Sequence, residues 1–145
     1  MEFSYAKNLG IGRTIRYDPL IFITLVEKQE VDIYSLIDSG SPSNLFSMDY
    51  AEKAGIDLSS ARKVEIHGIN GKQHGYLKKV TMKFLGKRWQ SEVVFCDRNE
   101  DHDLLGSQGF FQYFDVRFRY YERKFFISPA PSLYWENTKS GSTVE

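Results

Sequence analysis

Leu36-Ile37-Asp38-Ser39-Gly40-Ser41 closes an apolar, β-branched run with a compact polar turn, and Leu104-Leu105-Gly106 gives an apolar-apolar-glycine signal later in the chain. How these two stretches are read decides the fold. Aspartate, serine and glycine are all favoured turn residues, so Asp38 could simply open an ordinary turn. From average residue usage, an Asp-Ser/Thr-Gly tripeptide arises by chance in roughly one chain in fifteen of this length. The ordered context gives it weight: an apolar strand before it, a short capped helix after it, a glycine-rich hairpin, and then Leu104-Leu105-Gly106.

Working outward, Leu20 to Val26 is almost continuously apolar, Glu27 to Glu30 is polar, and Val31 to Ile37 resumes the pattern, which predicts a β-hairpin. Ser47 is placed to cap a short helix over Met48 to Ala54, with Asp49 and Glu52 near its positive end and Gly55 as its left-handed stop. Lys63 to His67, Tyr76 to Leu85 and Arg88 to Phe95 alternate as strands do, with turns expected over Gly68 to Gly75 and at Gly86-Lys87. Phe110 to Phe114 reads as a second short helix. Asp115 to Tyr120 and Lys124 to Ile127 read as a closing hairpin around Tyr121-Glu122-Arg123. The expectation is a mainly β, closed, barrel-like fold with one or two short helices. Residues 1–19 form an arm or strand that could cross to a partner subunit, 20–128 form the domain, and 129–145 form a flexible tail rich in Ser, Thr, Gly and charge towards its end.

At 145 residues and 41% hydrophobic content, the chain fits one domain able to bury its own core. Lys plus Arg and Asp plus Glu both total 19, which leaves no long-range field to attract nucleic acid or anionic lipid. Cys96 is the only cysteine, so no internal disulfide framework exists and a reducing, cytoplasmic setting is expected. No apolar run approaches the roughly 20 residues of a membrane span. The 11 Phe and 9 Tyr suffice to fill a small core and line an apolar cleft.

The chemistry available to Asp38 follows from its neighbours. Hydrolysing a peptide bond without metal or nucleophilic side chain needs a base to deprotonate water and an acid to protonate the carbonyl oxygen and then the leaving nitrogen. Two carboxylates sharing one proton supply both. Like charges that close cannot both ionise, so the apparent pKa values belong to the pair. A chain with one such aspartate must take the second from another copy of itself. Gly40 allows the tight turn and leaves the carboxylate uncovered. Ser39 offers a hydroxyl that can bond backbone across a dimer axis, and Ser41 could donate to the carboxylate and favour its charged form.

Leu36 to Ser47, followed by Ala51-Glu52-Lys53-Ala54-Gly55-Ile56, resembles the retropepsin-like aspartic proteases, especially their retrotransposon-type branch. Asp103-Leu104-Leu105-Gly106-Ser107-Gln108-Gly109-Phe110-Phe111, then Tyr113-Phe114-Asp115-Val116, resembles that family's second signature. The resemblance runs from about Leu20 to Ile127. It implies a homodimer with the active site on its two-fold axis, a flap over a peptide or protein substrate, Asp38 as the catalytic carboxylate, Ser39 as the grip between subunits and Gly40 as the turn. Leu104, Leu105 and Gly106 would pack behind the catalytic loop, and no cofactor is implied. Pro42 and Ser107 stand where the retroviral branch often has an Asp and an Arg that pair. Both halves of that ion pair are missing together, so no buried charge is stranded.

Ile66 to Tyr76 holds three glycines within eight positions between strand-like segments. By position it corresponds to the flap, with Gly68, Ile69, Asn70 and Gly71 as its substrate-facing turn and backbone groups able to pair with an extended peptide. Outside the Asp38 context it would read as a bare exposed turn. His67, His74 and His102 share no metal-ligand spacing, and Cys96 ends an apolar strand where a free cysteine behaves as a small hydrophobe. Arg117-Phe118-Arg119-Tyr120-Tyr121 alternates like a strand with one buried face, which is preferred over a nucleic-acid stacking surface. Two functions remain: an endopeptidase taking extended, apolar peptides, and an inactive peptide-binding or dimerisation module of the same fold.

Overall fold

The structure is a computed structural model that describes residues 1–68, 71–97, 102–132 and 134–135. Strands β1 (Glu2–Ser4), β2 (Ala6–Leu9) and β3 (Ile15–Asp18) precede the hairpin β4 (Leu20–Val26) and β5 (Glu30–Ile37). After them come β6 (Asn44–Ser47), α1 (Met48–Ala54), β7 (Arg62–Gly68), β8 (Gly71–Phe84) and β9 (Lys87–Cys96). The chain continues through β10 (Asp103–Leu105), β11 (Phe114–Arg119) and β12 (Lys124–Pro129). The main sheet runs β4-β5-β10-β6-β9-β8-β7, and an additional β4–β8 pairing closes the strands into a ring. The expected mainly β, closed fold is therefore what forms.

Inside the ring, Ile23, Leu25, Ile33, Phe46, Met82, Trp89, Phe95 and Leu105 are completely buried. The alternation of β4 and β5 produces this, because Ile21, Ile23 and Leu25 face inward against Ile33, Ser35 and Ile37. β6 breaks the alternation. Its first three residues, Asn44, Leu45 and Phe46, are all buried, as befits a strand running parallel to β9 with cover on both faces. The helix obeys its cap chemistry: the Ser47 hydroxyl accepts from the Asp49 N–H at 3.3 Å, and Gly55 takes φ 76° to end it.

Several readings are corrected. Residues 110–113 form turns and not a helix, because Phe110 and Phe114 stack at 5.1 Å and are fixed by core packing instead of helical periodicity. β8 begins at Gly71 and pairs with β7 down to Gly68↔Gly71, so the broad turn expected over Gly68 to Gly75 is mostly strand. Gly75 is needed in that strand, since a Cβ there would stand 2.5 Å from Val94 Cγ1 and 2.9 Å from Ile66 Cδ1. The N-terminal segment pairs within its own chain: β1 lies antiparallel to β12, and β2 with β3 forms a hairpin. The segment read as a tail from 129 is anchored as far as Trp135, 5% exposed and packed on Trp89, Tyr113 and Phe114. The more polar stretch beyond, 137–145, lies outside the described residues. Among those described, no helix is long and apolar enough to cross a membrane.

Candidate active site

The two sequence signatures meet. β10 runs parallel to β5 with Leu104 opposite Leu36 and Leu105 opposite Ile37, and the Asp38 N–H donates to the Leu105 carbonyl at 2.9 Å. Beyond that point further backbone bonds join the two loops. The Ser107 N–H donates to the Ser41 carbonyl at 2.9 Å, and the Gln108 N–H to the Pro42 carbonyl at 3.0 Å. Backbone bonds thus hold the positions where an Asp–Arg ion pair was missed in the sequence.

Asp38 follows the last residue of β5 and is half-buried, with Ser39 and Gly40 exposed beside it. The Gly40 N–H donates to Asp38 Oδ1 at 2.9 Å, an Asx-type turn that fixes the carboxylate. The expectation for Ser41 is corrected: its hydroxyl donates to the Ser43 carbonyl at 2.7 Å, so it braces the loop while the Gly40 amide supports the carboxylate. Gly106 lies under this loop. A Cβ there would meet the Ser41 and Ser43 carbonyl oxygens at 2.5 Å each, so only glycine lets β10 pass so close.

Asn44 escaped the sequence reading. It is fully buried; its Oδ1 accepts from the Gly106 N–H at 2.9 Å and its Nδ2 donates to Ser91 Oγ at 3.2 Å. Ser91 in turn donates to the Glu92 carbonyl at 3.2 Å, so one buried side chain ties the loop after β10 to β6 and β9. A polar residue in an otherwise buried strand was the available signal. A second contact also escaped. Asp18, at the end of β3, accepts from Asn8 at 3.0 Å and Arg16 at 2.9 Å and lies 3.4 Å from His102, immediately before β10. Burial pushes the Asp18 carboxyl up, but the hydrogen bonds from Asn8 and Arg16 and the charges of Arg16 and His102 outweigh it and hold the pKa below the ordinary value.

Asp38 opens onto a groove of about 1110 Å³ between its own loop, the β7–β8 hairpin and β9. The apolar part is Leu45, Val64, Ile66, Leu77, Val94 and Leu104, a small cluster separate from the main core. The expected apolar lining is only part of the surface, because Arg62, Lys79, Gln90, Glu92, Gln108 and Gln112 make the remainder polar. Gly68 and Gly71 pair across the hairpin's end, whereas Ile69 and Asn70 lie outside the described residues. His67 sits 3.6 Å from Glu65 on that hairpin with His74 directly opposite Glu65, His102 is beside Asp18, and Cys96 is buried.

Neither a protein-family model nor a curated protein matches the sequence. The fold is similar to the crystal structure of a retropepsin-like aspartic protease from Rickettsia conorii, with TM-score 0.59 and 18% identity, covering 88% of this chain and 98% of that one. It is also similar to EIAV protease complexed with the inhibitor HBY-793, with TM-score 0.50 and 17% identity, covering 61% of this chain and 81% of that one. The chain has a retropepsin-like fold.

Proposed function

We propose that this chain is an aspartic endopeptidase that works as a homodimer, each protomer contributing one Asp38. The observation that carries the reading is the seating of Asp38: it directly follows β5, is tied by its N–H to Leu105 and by Oδ1 to the Gly40 amide, and lines a groove of about 1110 Å³. In the dimer the two carboxylates hold one proton and one water. The ionised Asp38 takes a proton from the water as its oxygen attacks the scissile carbonyl carbon, and the protonated Asp38 gives its proton to the carbonyl oxygen. Collapse of the resulting diol breaks the carbon–nitrogen bond as the amine nitrogen takes up a proton from the dyad. Ser39 grips the partner's loop, Leu104, Leu105 and Gly106 hold the turn in place, and the hairpin ending in Gly68, Ile69, Asn70 and Gly71 closes over the substrate as a flap.

Asp38→Asn tests this directly. The amide is nearly isosteric but cannot act as base, so cleavage of an unfolded protein at pH 4 to 6 is expected to vanish while sedimentation still reports a dimer. Undiminished cleavage by that variant, free of contaminating protease, would refute the proposal. A wild-type dimer that binds peptides yet cuts none across a broad pH range would establish the binding module instead.

A further inference from the structure

The groove carries charge that its own chain does not neutralise. Arg62 is exposed at the start of β7 opposite Leu77, and Lys79 is exposed two residues further along β8 on the same face. Diagonal neighbours of this kind stand about 7–8 Å apart, within reach of one acceptor group for two long side chains. Neither has an ion-pair partner among the described residues. Nearer the hairpin's end, Glu65 lies 3.5 Å from Lys72 and 3.6 Å from His67.

Glu92 is the one acidic neighbour, directly opposite Lys79 on β9, and no ion pair forms between them. Even if Lys79 turned to meet it, Arg62 would keep its charge, and the side chains at this end carry a net single positive charge. Gln90, two residues from Glu92 on β9, and Gln108 and Gln112 also line the groove and carry amide donors. The location matters as well. Arg62↔Leu77 lies six residue steps along the strands from Gly68↔Gly71, which places Arg62 about 20 Å from that end of the pairing.

Resting on the protease reading above, we infer that the groove selects extended peptides bearing an acidic side chain towards the base of the β7–β8 hairpin, where Arg62 and Lys79 receive it. The apolar cluster of Leu45, Val94 and Leu104 takes the apolar residue nearer the scissile bond. Because a symmetric dimer repeats the site, an acid is accepted on either side of that bond. The guanidinium offers a planar two-donor fork to a carboxylate, and the Lys79 ammonium adds a point charge.

The test compares three peptides identical except for Glu, Gln or Lys at one position several residues from a shared apolar cleavage site. Cleavage by wild type is read as kcat/KM, and binding to Asp38→Asn by fluorescence anisotropy. Partly exposed charge pairs of this kind predict a roughly threefold to tenfold preference for Glu over Lys, shrinking as salt is raised. The double variant Arg62→Glu with Lys79→Glu changes two exposed positions and is expected to fold, as circular dichroism can check, and to invert the preference. Wild type that cuts all three peptides equally overturns the inference and leaves the protease reading standing. Asp38→Asn that binds the Glu peptide best, beside wild type that cuts nothing, supports the inference and removes the protease reading. A preference that survives the double variant assigns the selection elsewhere and overturns the inference.

Discussion

Asn44→Ala probes the contact that seats the second signature beneath the first. The substitution removes the side-chain acceptor of the buried Gly106 N–H, while Ser91 keeps its bond to the Glu92 carbonyl. An orphaned buried amide costs about 1–3 kcal/mol. The void left by the lost amide group adds about 1 kcal/mol, giving about 2–4 kcal/mol in all. Against a typical total of about 5–15 kcal/mol, the variant still folds.

The assay is urea unfolding at fixed protomer concentration, since association would otherwise shift the midpoint. A lowered midpoint at unchanged slope reports the loss. Asn44→Asp supplies a signature that packing alone would not give. Its carboxylate still accepts from Gly106, yet an uncompensated charge in a fully buried site raises its pKa in the folded state. The penalty is complete above that raised value and is recovered as pH falls, because the protonated acid resembles the native amide. Asn44→Ala within 0.5 kcal/mol of wild type, or Asn44→Asp with no acid recovery, would refute the argument.

Gly106→Ala drives a Cβ against two backbone carbonyls that cannot swing aside, so it should destabilise by about 2–3 kcal/mol and lower peptide cleavage with it, read by urea unfolding and kcat/KM. Asp18 has a folded pKa below its ordinary 3.8, so its pairing contributes stability above that value and loses it as pH falls through the folded value. Asp18→Asn should therefore cost about 1–3 kcal/mol at pH 7 and flatten the acid limb of a stability-against-pH curve, and an unchanged limb would refute the assignment. Cys96 is fully buried, so a thiol reagent should modify it only as fast as the protein opens, and full-rate labelling of native protein would contradict the packing.

What the sequence discloses here divides along the distance over which each interaction acts. The helix from Met48 to Ala54 was legible to the residue because Ser47 and Gly55 act within one turn of their own positions. The β4–β5 hairpin was legible for the same reason, as were β11 and β12 around the left-handed Arg123 at φ 57°. Asp38 could be placed at the end of a strand, because apolar alternation and turn chemistry are both local. None of that specified that β10 inserts between β5 and β6, a parallel pairing 68 positions apart at Leu104↔Leu36 and one antiparallel contact at Leu104↔Leu45. Local pattern fails wherever a residue is fixed by a distant partner. Phe110 and Phe114 kept helical spacing yet answer to each other and to Trp89 and Phe84, and Asn44 serves an amide 62 positions away.

The same division explains why the expected apolar lining is only part of the groove. Lys79 and Glu92 fall within two segments read as alternating strands and Arg62 lies one residue before a third, so no local pattern relates the three. Only the registers β7–β8 and β8–β9, which set Arg62 against Leu77 and Lys79 against Glu92, bring those three side chains to one wall. In an isolated strand such charges would be screened and uninformative. Gathered beside an apolar floor and opposite the Asp38 loop, they become a field with a direction. The proposed cleavage chemistry thus rests on a few adjacent residues, while the proposed choice of peptide is distributed over strands that meet only in the folded chain.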